Sequence, residues 1–344
     1  MKCLENRPRL WSAALALAVG MTATVARADD FYAGKTLTII VSTGVGGGYY
    51  DISQAFARHL PRYIPGNPNI IVKAMPGGGN VLATNYLYNV APKDGTTIGT
   101  VNNSIPLHQA LGGQGVRYDA SKFNWLGSTG TYNSVAIVWH TAGIRSVEDL
   151  TKKEVTLGGT GAGSSIVIYP QVMNKILGTR FKIVLGYQSV AQINIALERG
   201  EVEAKTGSYA DLWGEHPDWV RDKKVDILLQ IGEKRDKALP DIPLMTELGK
   251  TEEQRQVLKL ISSPIGLGRP FLAPPDTDKE RLALLRDVYQ KTLRDKQFLA
   301  DAEKIKLDID PVSAEEITRI VNETINAPKD IVEKAKAALG DAEL

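Results

Sequence analysis

The chain has 344 residues, with 41 basic and 39 acidic side chains, 43% hydrophobic residues and a single cysteine, Cys3. That balance excludes a nucleic-acid surface and a disordered chain dominated by charge. With its one cysteine so near the start, the rest of the chain has no disulfide, no thiolate chemistry and no cysteine-ligated metal.

Residues 1–28 read as an export signal. Lys2, Arg7 and Arg9 form a positive n-region, Ser12 to Val25 is apolar, and Ala26-Arg27-Ala28 offers a small-residue cleavage pattern. The apolar run falls short of the ~20 residues of a spanning helix, although an uncleaved anchor is the alternative. Cys3 precedes the apolar run, so no lipoprotein anchor is expected. A periplasmic mature chain starting near Asp29 is predicted, and without residues 1–28 the balance is 37 basic against 38 acidic side chains. The remaining ~316 residues exceed what one core usually supports, so two domains are expected.

Seven β-branched runs have strand length: Leu37–Val41, Asn69–Lys73, Thr97–Val101, Val135–Trp139, Glu154–Leu157, Lys182–Leu185 and Val225–Gln230. Helical patterns lie between several of them, which is the signature of βαβ units. In Asp51–Leu60 the apolar residues Ile52, Ala55, Phe56 and Leu60 share one helical face. Capping boxes open helices at Ser189–Gln192 and Ser313–Glu316, and the last ~70 residues read as charged and helical without strands. No Pro/Gly linker divides the chain into sequential halves, so the chain is expected to cross between two α/β domains more than once. Crossings are predicted near Trp125–Ser134 and Ile261–Pro270. One domain then takes residues 29–131 and 264–344, and the other takes 132–263.

Two glycine clusters each follow a strand and precede a helix. The first, Gly44-Val-Gly46-Gly-Gly48-Tyr49, lacks the last glycine of G-x-G-x-x-G and any following Gly-Lys-Ser/Thr. The second, Gly158 to Ser165, also lacks the full fingerprint, and neither forms a G-x-S-x-G elbow. What such turns supply is backbone N–H groups at a helix N-terminus, which suit an anion without any lysine or arginine. The histidines His59, His108, His140 and His216 have no ligand spacing, so no metal and no cofactor are expected. Asp51 reads as a first-turn carboxylate that steadies its helix rather than as a base.

In this order and spacing, several segments resemble the periplasmic solute receptors of tripartite tricarboxylate transporters, the Bug family. They are Val41–Asp51, MPGGGN (75–80), APKDGTTIG (91–99), YDASKFNWLGS (118–128), IRSVEDL (144–150), GGTGAGSS (158–165), LPDIPLMTELG (239–249) and LAPPDTDKERLALL (272–285). The resemblance covers essentially the whole mature length. It departs at Ser42-Thr43, where Pro-Phe is common, at Tyr49-Tyr50, at Leu185–Ser189 and at Ile166–Tyr169.

The resemblance implies a type II periplasmic-binding-protein-like fold: two α/β domains, a hinge of two crossover segments and a ligand cleft between them. It implies a monomeric receptor that hands a small organic carboxylate to a membrane permease, without catalysis. The carboxylate would be held chiefly by main-chain amides. The first wall is assigned to Gly46, Gly47, Gly48, Tyr49, Tyr50 and Asp51, with Pro76, Gly77, Gly78 and Asn80 beside it and Asn102, Asn103 and Ser104 at the same sheet edge. The opposite wall is assigned to Thr160, Gly161, Ala162, Gly163, Ser164 and Ser165, with Tyr187, Gln188, Ser189 and Tyr209. The rival readings are a ligand-presenting sensory protein of a two-component receptor and a secreted hydrolase using Ser164 or Ser165.

Overall fold

The computed structural model describes residues 31–307 and 309–339. The expected signal, residues 1–28, lies outside them. Among the described residues no helix is long and apolar enough to cross a membrane.

The first lobe alternates strands and helices: β1 (Thr36–Val41), α1 (Gly48–His59), β2 (Asn69–Ala74), α2 (Val81–Asn89), β3 (Thr97–Thr100), α3 (Ile105–Ala110) and β4 (Asn124–Ser128). The chain then crosses to a second lobe made of β5 (Ser134–Trp139), α4 (Val147–Lys152), β6 (Val155–Gly158), α5 (Ser165–Val172), β7 (Phe181–Val184), α6 (Val190–Glu198), β8 (Ala204–Ser208), α7 (Tyr209–Glu215), α8 (Pro217–Arg221), β9 (Val225–Ile231) and α9 (Glu252–Ser262). It returns as β10 (Pro270–Ala273), followed by α10 (Lys279–Leu293), α11 (Lys296–Lys304), α12 (Ala314–Ile325) and α13 (Lys329–Leu339).

The two sheets share one plan. The first has the order β2-β1-β3-β10-β4 and the second β7-β6-β8-β5-β9. In the first, β2, β1 and β3 run parallel and β10 is antiparallel to both β3 and β4. In the second, β7, β6 and β8 run parallel and β5 is antiparallel to β8 and β9. Each sheet therefore receives, beside its third parallel strand, an antiparallel strand that has just crossed from the other lobe. Two α/β units joined by repeated crossings make a periplasmic-binding-protein-like architecture.

Helices cover both faces of both sheets, as parallel strands require. On the first sheet, α1, α10 and α11 bury one cluster around Phe56, which stacks on Tyr289 at 4.9 Å between centroids and packs against Phe271 and Phe298. The other face is covered by α2 and α12 through Leu87, Ile317 and Val321. The second sheet carries α5, α9 and α13 on one face and α6, α7 and α8 on the other.

All seven expected strands are present, within a residue or two at their ends. Three more, β4, β8 and β10, were not anticipated. The predicted crossing at Trp125–Ser134 narrows to the stretch between β4 and β5, because Trp125–Ser128 belongs to β4. The return crossing centres on Gly268, whose φ of 55° and ψ of −121° exclude other residues. The two crossings touch there, since a Cβ on Gly268 would lie 1.7 Å from the carbonyl oxygen of Gly130. The reading that placed residues 264–344 in one domain does not hold for α13. Its Ile331, Val332 and Ala335 are buried with Val257, Leu258 and Ile261 of α9, in the core of the second lobe. An amphipathic helix must bury its apolar face, and here the available apolar surface belongs to the opposite lobe.

Candidate functional site

The loops that follow β1, β2 and β3 face those that follow β6, β7 and β8, at the carboxyl ends of the strands, where open α/β sheets bind ligands. Between them lies a cavity of about 140 Å3. The first lobe lines it with Ser42, Thr43, Gly46, Gly47, Gly48, Tyr49, Pro76, Gly77, Gly78, Gly79, Asn80, Asn102 and Asn103. The first crossing and the second lobe supply Tyr132, Ser134, Thr160, Ser164, Ser165, Ile166, Tyr187, Gln188, Ser189, Val190, Gly207, Ser208 and Asp211.

Of the residues singled out from sequence, Gly46 to Tyr49, Pro76 to Gly78, Asn80, Asn102, Asn103, Thr160, Ser164, Ser165 and Tyr187 to Ser189 come together around this cavity. Seven stand outside its lining: Tyr50, Asp51, Ser104, Gly161, Ala162, Gly163 and Tyr209. Tyr50 is turned to its own helix, where its hydroxyl accepts from Gln54 Nε2 at 2.8 Å. Tyr209 starts α7 and donates its N–H to the Asn133 carbonyl. Gly161, Gly163 and Ser104 instead join the lobes. The Ser104 hydroxyl donates to the Gly163 carbonyl at 2.7 Å, and a Cβ on Gly161 would sit 2.6 Å from Gly79 N. A second bond crosses nearby, from Gly44 N–H to the Gln188 carbonyl at 3.0 Å.

The lining residues not anticipated are Ser42, Thr43, Gly79, Tyr132, Ser134, Ile166, Val190, Gly207, Ser208 and Asp211. Ser42 organises the first wall: its hydroxyl donates to Asn80 Oδ1 and accepts from the Asn102 N–H.

Helix capping differs among the helices that start at the cavity: Ser189 and Ser208, which line it, cap α6 and α7, whereas three others start there uncapped. Ser146, Ser189, Ser208, Thr251, Asp278, Asp295 and Ser313 each cap their helix with a side chain. The residues that start α1, α2 and α5 (Gly47, Asn80 and Ser164) all line the cavity, and none of their side chains caps its helix. First-turn N–H groups of both lobes thus remain for an anion, aided by the positive ends of the helix dipoles.

Behind the cavity lies a buried charge cluster. Arg269, 3% exposed on the return crossing, forms an ion pair with Asp211. Its guanidinium lies 4.2 Å from the Tyr132 ring centroid and 5.9 Å from that of Tyr49, and it fills the space where a Gly48 side chain would be. Burial works against its charge, but Asp211 and the two tyrosines hold its pKa above the ordinary value. Burial also raises the carboxyl of Asp51, with Asp211 adding to the effect. The Tyr49 hydroxyl donates to the Gly268 carbonyl and accepts from the Asn103 N–H, both at 3.1 Å, so it braces the hinge rather than reaching into the cavity.

Chemistry beyond binding has little support here. His108 is buried near Gly163, burial lowers its pKa, and its Nε2 donates to the Gln114 carbonyl at 3.3 Å. No hydrogen bond joins a histidine to Ser164 or Ser165 among the described residues. Nor do the described residues contain a group of three or more His, Cys, Asp or Glu able to hold a metal.

The chain is 24% identical over 330 residues to a protein of Cupriavidus necator described as the UPF0065 protein in gbd 5'region, covering 94% of each. The solved structure of the periplasmic binding protein BugD superposes with a TM-score of 0.72 at 17% identity, over 89% of this chain and 98% of that one. MatC from Rhodopseudomonas palustris with bound malate gives 0.69 at 17% identity, over 87% and 99%. These likenesses show a fold of the periplasmic-binding-protein kind. The model of the tripartite tricarboxylate transporter family receptor matches residues 63–337, and the chain belongs to that family.

Proposed function

We propose that this protein is a periplasmic receptor that closes on a small organic carboxylate and presents it to the membrane permease of a tripartite transporter. One observation carries the reading: α1, α2 and α5, drawn from both lobes, start at the cavity without side-chain caps, which leaves first-turn N–H groups there for an anion. Main-chain N–H groups of two lobes can meet one carboxylate only when the lobes approach. The ligand therefore stabilises closure by its differential contacts. Bending is assigned to residues 129–133, to Gly268 and Arg269, and to residues 326–328, which connect α12 on the first lobe to α13 on the second. The signal read at residues 1–28 supports export, and the malate bound to MatC supports a carboxylate as cargo.

The test is a thermal-shift screen of the mature protein, stripped of co-purified ligand, against mono-, di- and tricarboxylates, amino acids and aromatic acids. A ligand at 100-fold its Kd adds about 2.7 kcal/mol of stability. A broad carboxylate panel that leaves the melting curve unmoved would refute the assignment.

A further inference from the structure

We propose that the cavity selects a zwitterionic carboxylate, one whose far end carries an ammonium group that Asp211 accepts, over di- and tricarboxylates. The proposal rests on the receptor reading above and adds the class of ligand.

The charge pattern of the lining carries it. Among the described residues around the cavity, Asp211 is the only one with a formally charged side chain; the rest are glycine, hydroxyl, amide, tyrosine, proline and aliphatic residues. The amide-rich helix starts suit one carboxylate. A second carboxylate would find no lysine, arginine or histidine in the wall and would face the Asp211 carboxylate across a small, partly open cavity. Burying a charge without a partner is costly, and like charges placed together cost more.

Arg269 is paired to one oxygen of Asp211 and packs beside Tyr132 and Tyr49, outside the lining. Asp211 is itself held in place, because its N–H is capped by Ser208 Oγ at 3.2 Å and one carboxylate oxygen is fixed by Arg269. The other oxygen has no hydrogen-bond partner among the described residues, and the side chain keeps 18% of its exposure. The cavity therefore has a donor-rich wall and an acidic wall. A molecule with a carboxylate at one end and an ammonium at the other satisfies both. The volume of about 140 Å3 is close to that of an engineered apolar cavity of about 150 Å3 that takes benzene, so the ligand is small.

The experiment is titration calorimetry of the full mature protein, stripped of co-purified ligand, with pairs matched in spacer: β-alanine against succinate, 4-aminobutyrate against glutarate, and 5-aminopentanoate against adipate. In at least one pair the amino acid is expected to bind about tenfold or more tighter than the dicarboxylate. Asp211→Asn should reverse that order, because it removes the acceptor and releases the charge of Arg269. Asp211→Asn combined with Arg269→Gln separates the two effects: the amino-acid preference should be lost while no dicarboxylate preference appears. Circular dichroism and a melting curve establish that each variant is folded, and the wild-type comparison stands even if one is not. A dicarboxylate that binds tighter than its amino partner in every pair overturns this proposal and leaves the receptor reading intact. If no carboxylate of either kind binds, in these pairs or in the broad panel above, the receptor reading falls and the proposal falls with it.

Discussion

Replacing Gly161 by alanine tests whether the lobes must meet. The added Cβ would lie 2.6 Å from Gly79 N and 3.0 Å from Gly79 Cα, whereas ordinary contact begins near 3.4 Å. The loops would have to part by about 0.8 Å to reach that contact. Overpacking of this kind costs about 1–3 kcal/mol. Parting also weakens the Ser104–Gly163 and Gly44–Gln188 hydrogen bonds, each worth about 1 kcal/mol. The penalty on the closed state is then about 2–4 kcal/mol, which raises Kd at least about thirtyfold. The open state has no such contact, and Gly161 lacks a positive φ, so the ligand-free protein should melt as the wild type does. Calorimetry with the tightest ligand of the screen, together with small-angle scattering, reads both quantities. Wild-type affinity together with full compaction on ligand addition would refute the idea that closure brings these loops into contact.

Further outcomes follow from the hinge and the buried charges. Tyr49→Phe leaves the Asn103 N–H without its partner and should cost about 1–2 kcal/mol in urea unfolding, because the Gly268 carbonyl still receives Tyr132 at 3.4 Å. Gly268→Ala, whose Cβ would lie 1.7 Å from the Gly130 oxygen, should cost more than about 3 kcal/mol or prevent folding; normal yield and melting temperature would contradict the hinge geometry. Lys205 is 5% exposed, and burial pushes its pKa down to about 8, below the unfolded value of about 10.4. The native state then sheds its proton first, so the burial penalty applies below pH 8 and is relieved as pH rises toward 10. Against Lys205→Met, the wild type should gain about 1–3 kcal/mol between pH 7 and 10, and a constant difference over that range would contradict the lowered native pKa of Lys205.

Much of this architecture is legible in the sequence because β-branched runs announce themselves. The three strands that escaped notice do not have that composition. β8 is Ala-Lys-Thr-Gly-Ser, β4 is Asn-Trp-Leu-Gly-Ser, and β10 opens with Pro270. Proline is tolerated at the first residue of a strand, where its missing N–H matters least. Missing β8 had a consequence for the site. Gly207, Ser208 and Asp211 sit at or just beyond its end, so the sequence reading placed only Tyr209 in this part of the wall, and that residue stands outside the lining. The pairing of Asp211 with Arg269, 58 positions apart, follows from the crossing and not from any local pattern. The glycine clusters were readable because a turn from strand to helix has its own local signature. Periodicity also marked the C-terminal helices as amphipathic, but it cannot say which lobe will cover the apolar face of α13.

The discontinuity of both lobes governs the order in which they can fold. The first sheet needs β10 between β3 and β4, so Thr100 waits for Phe271, and the second core needs α13 over α9. Contacts of such long sequence separation carry a high loop-closure cost and slow the search for the native state. As a ribosome delivers this chain, the first lobe waits for β10 and the second for α13. For a protein exported as proposed above, that delay is useful. Under that proposal a chain with neither core complete would stay easier to thread, and both cores would close after export.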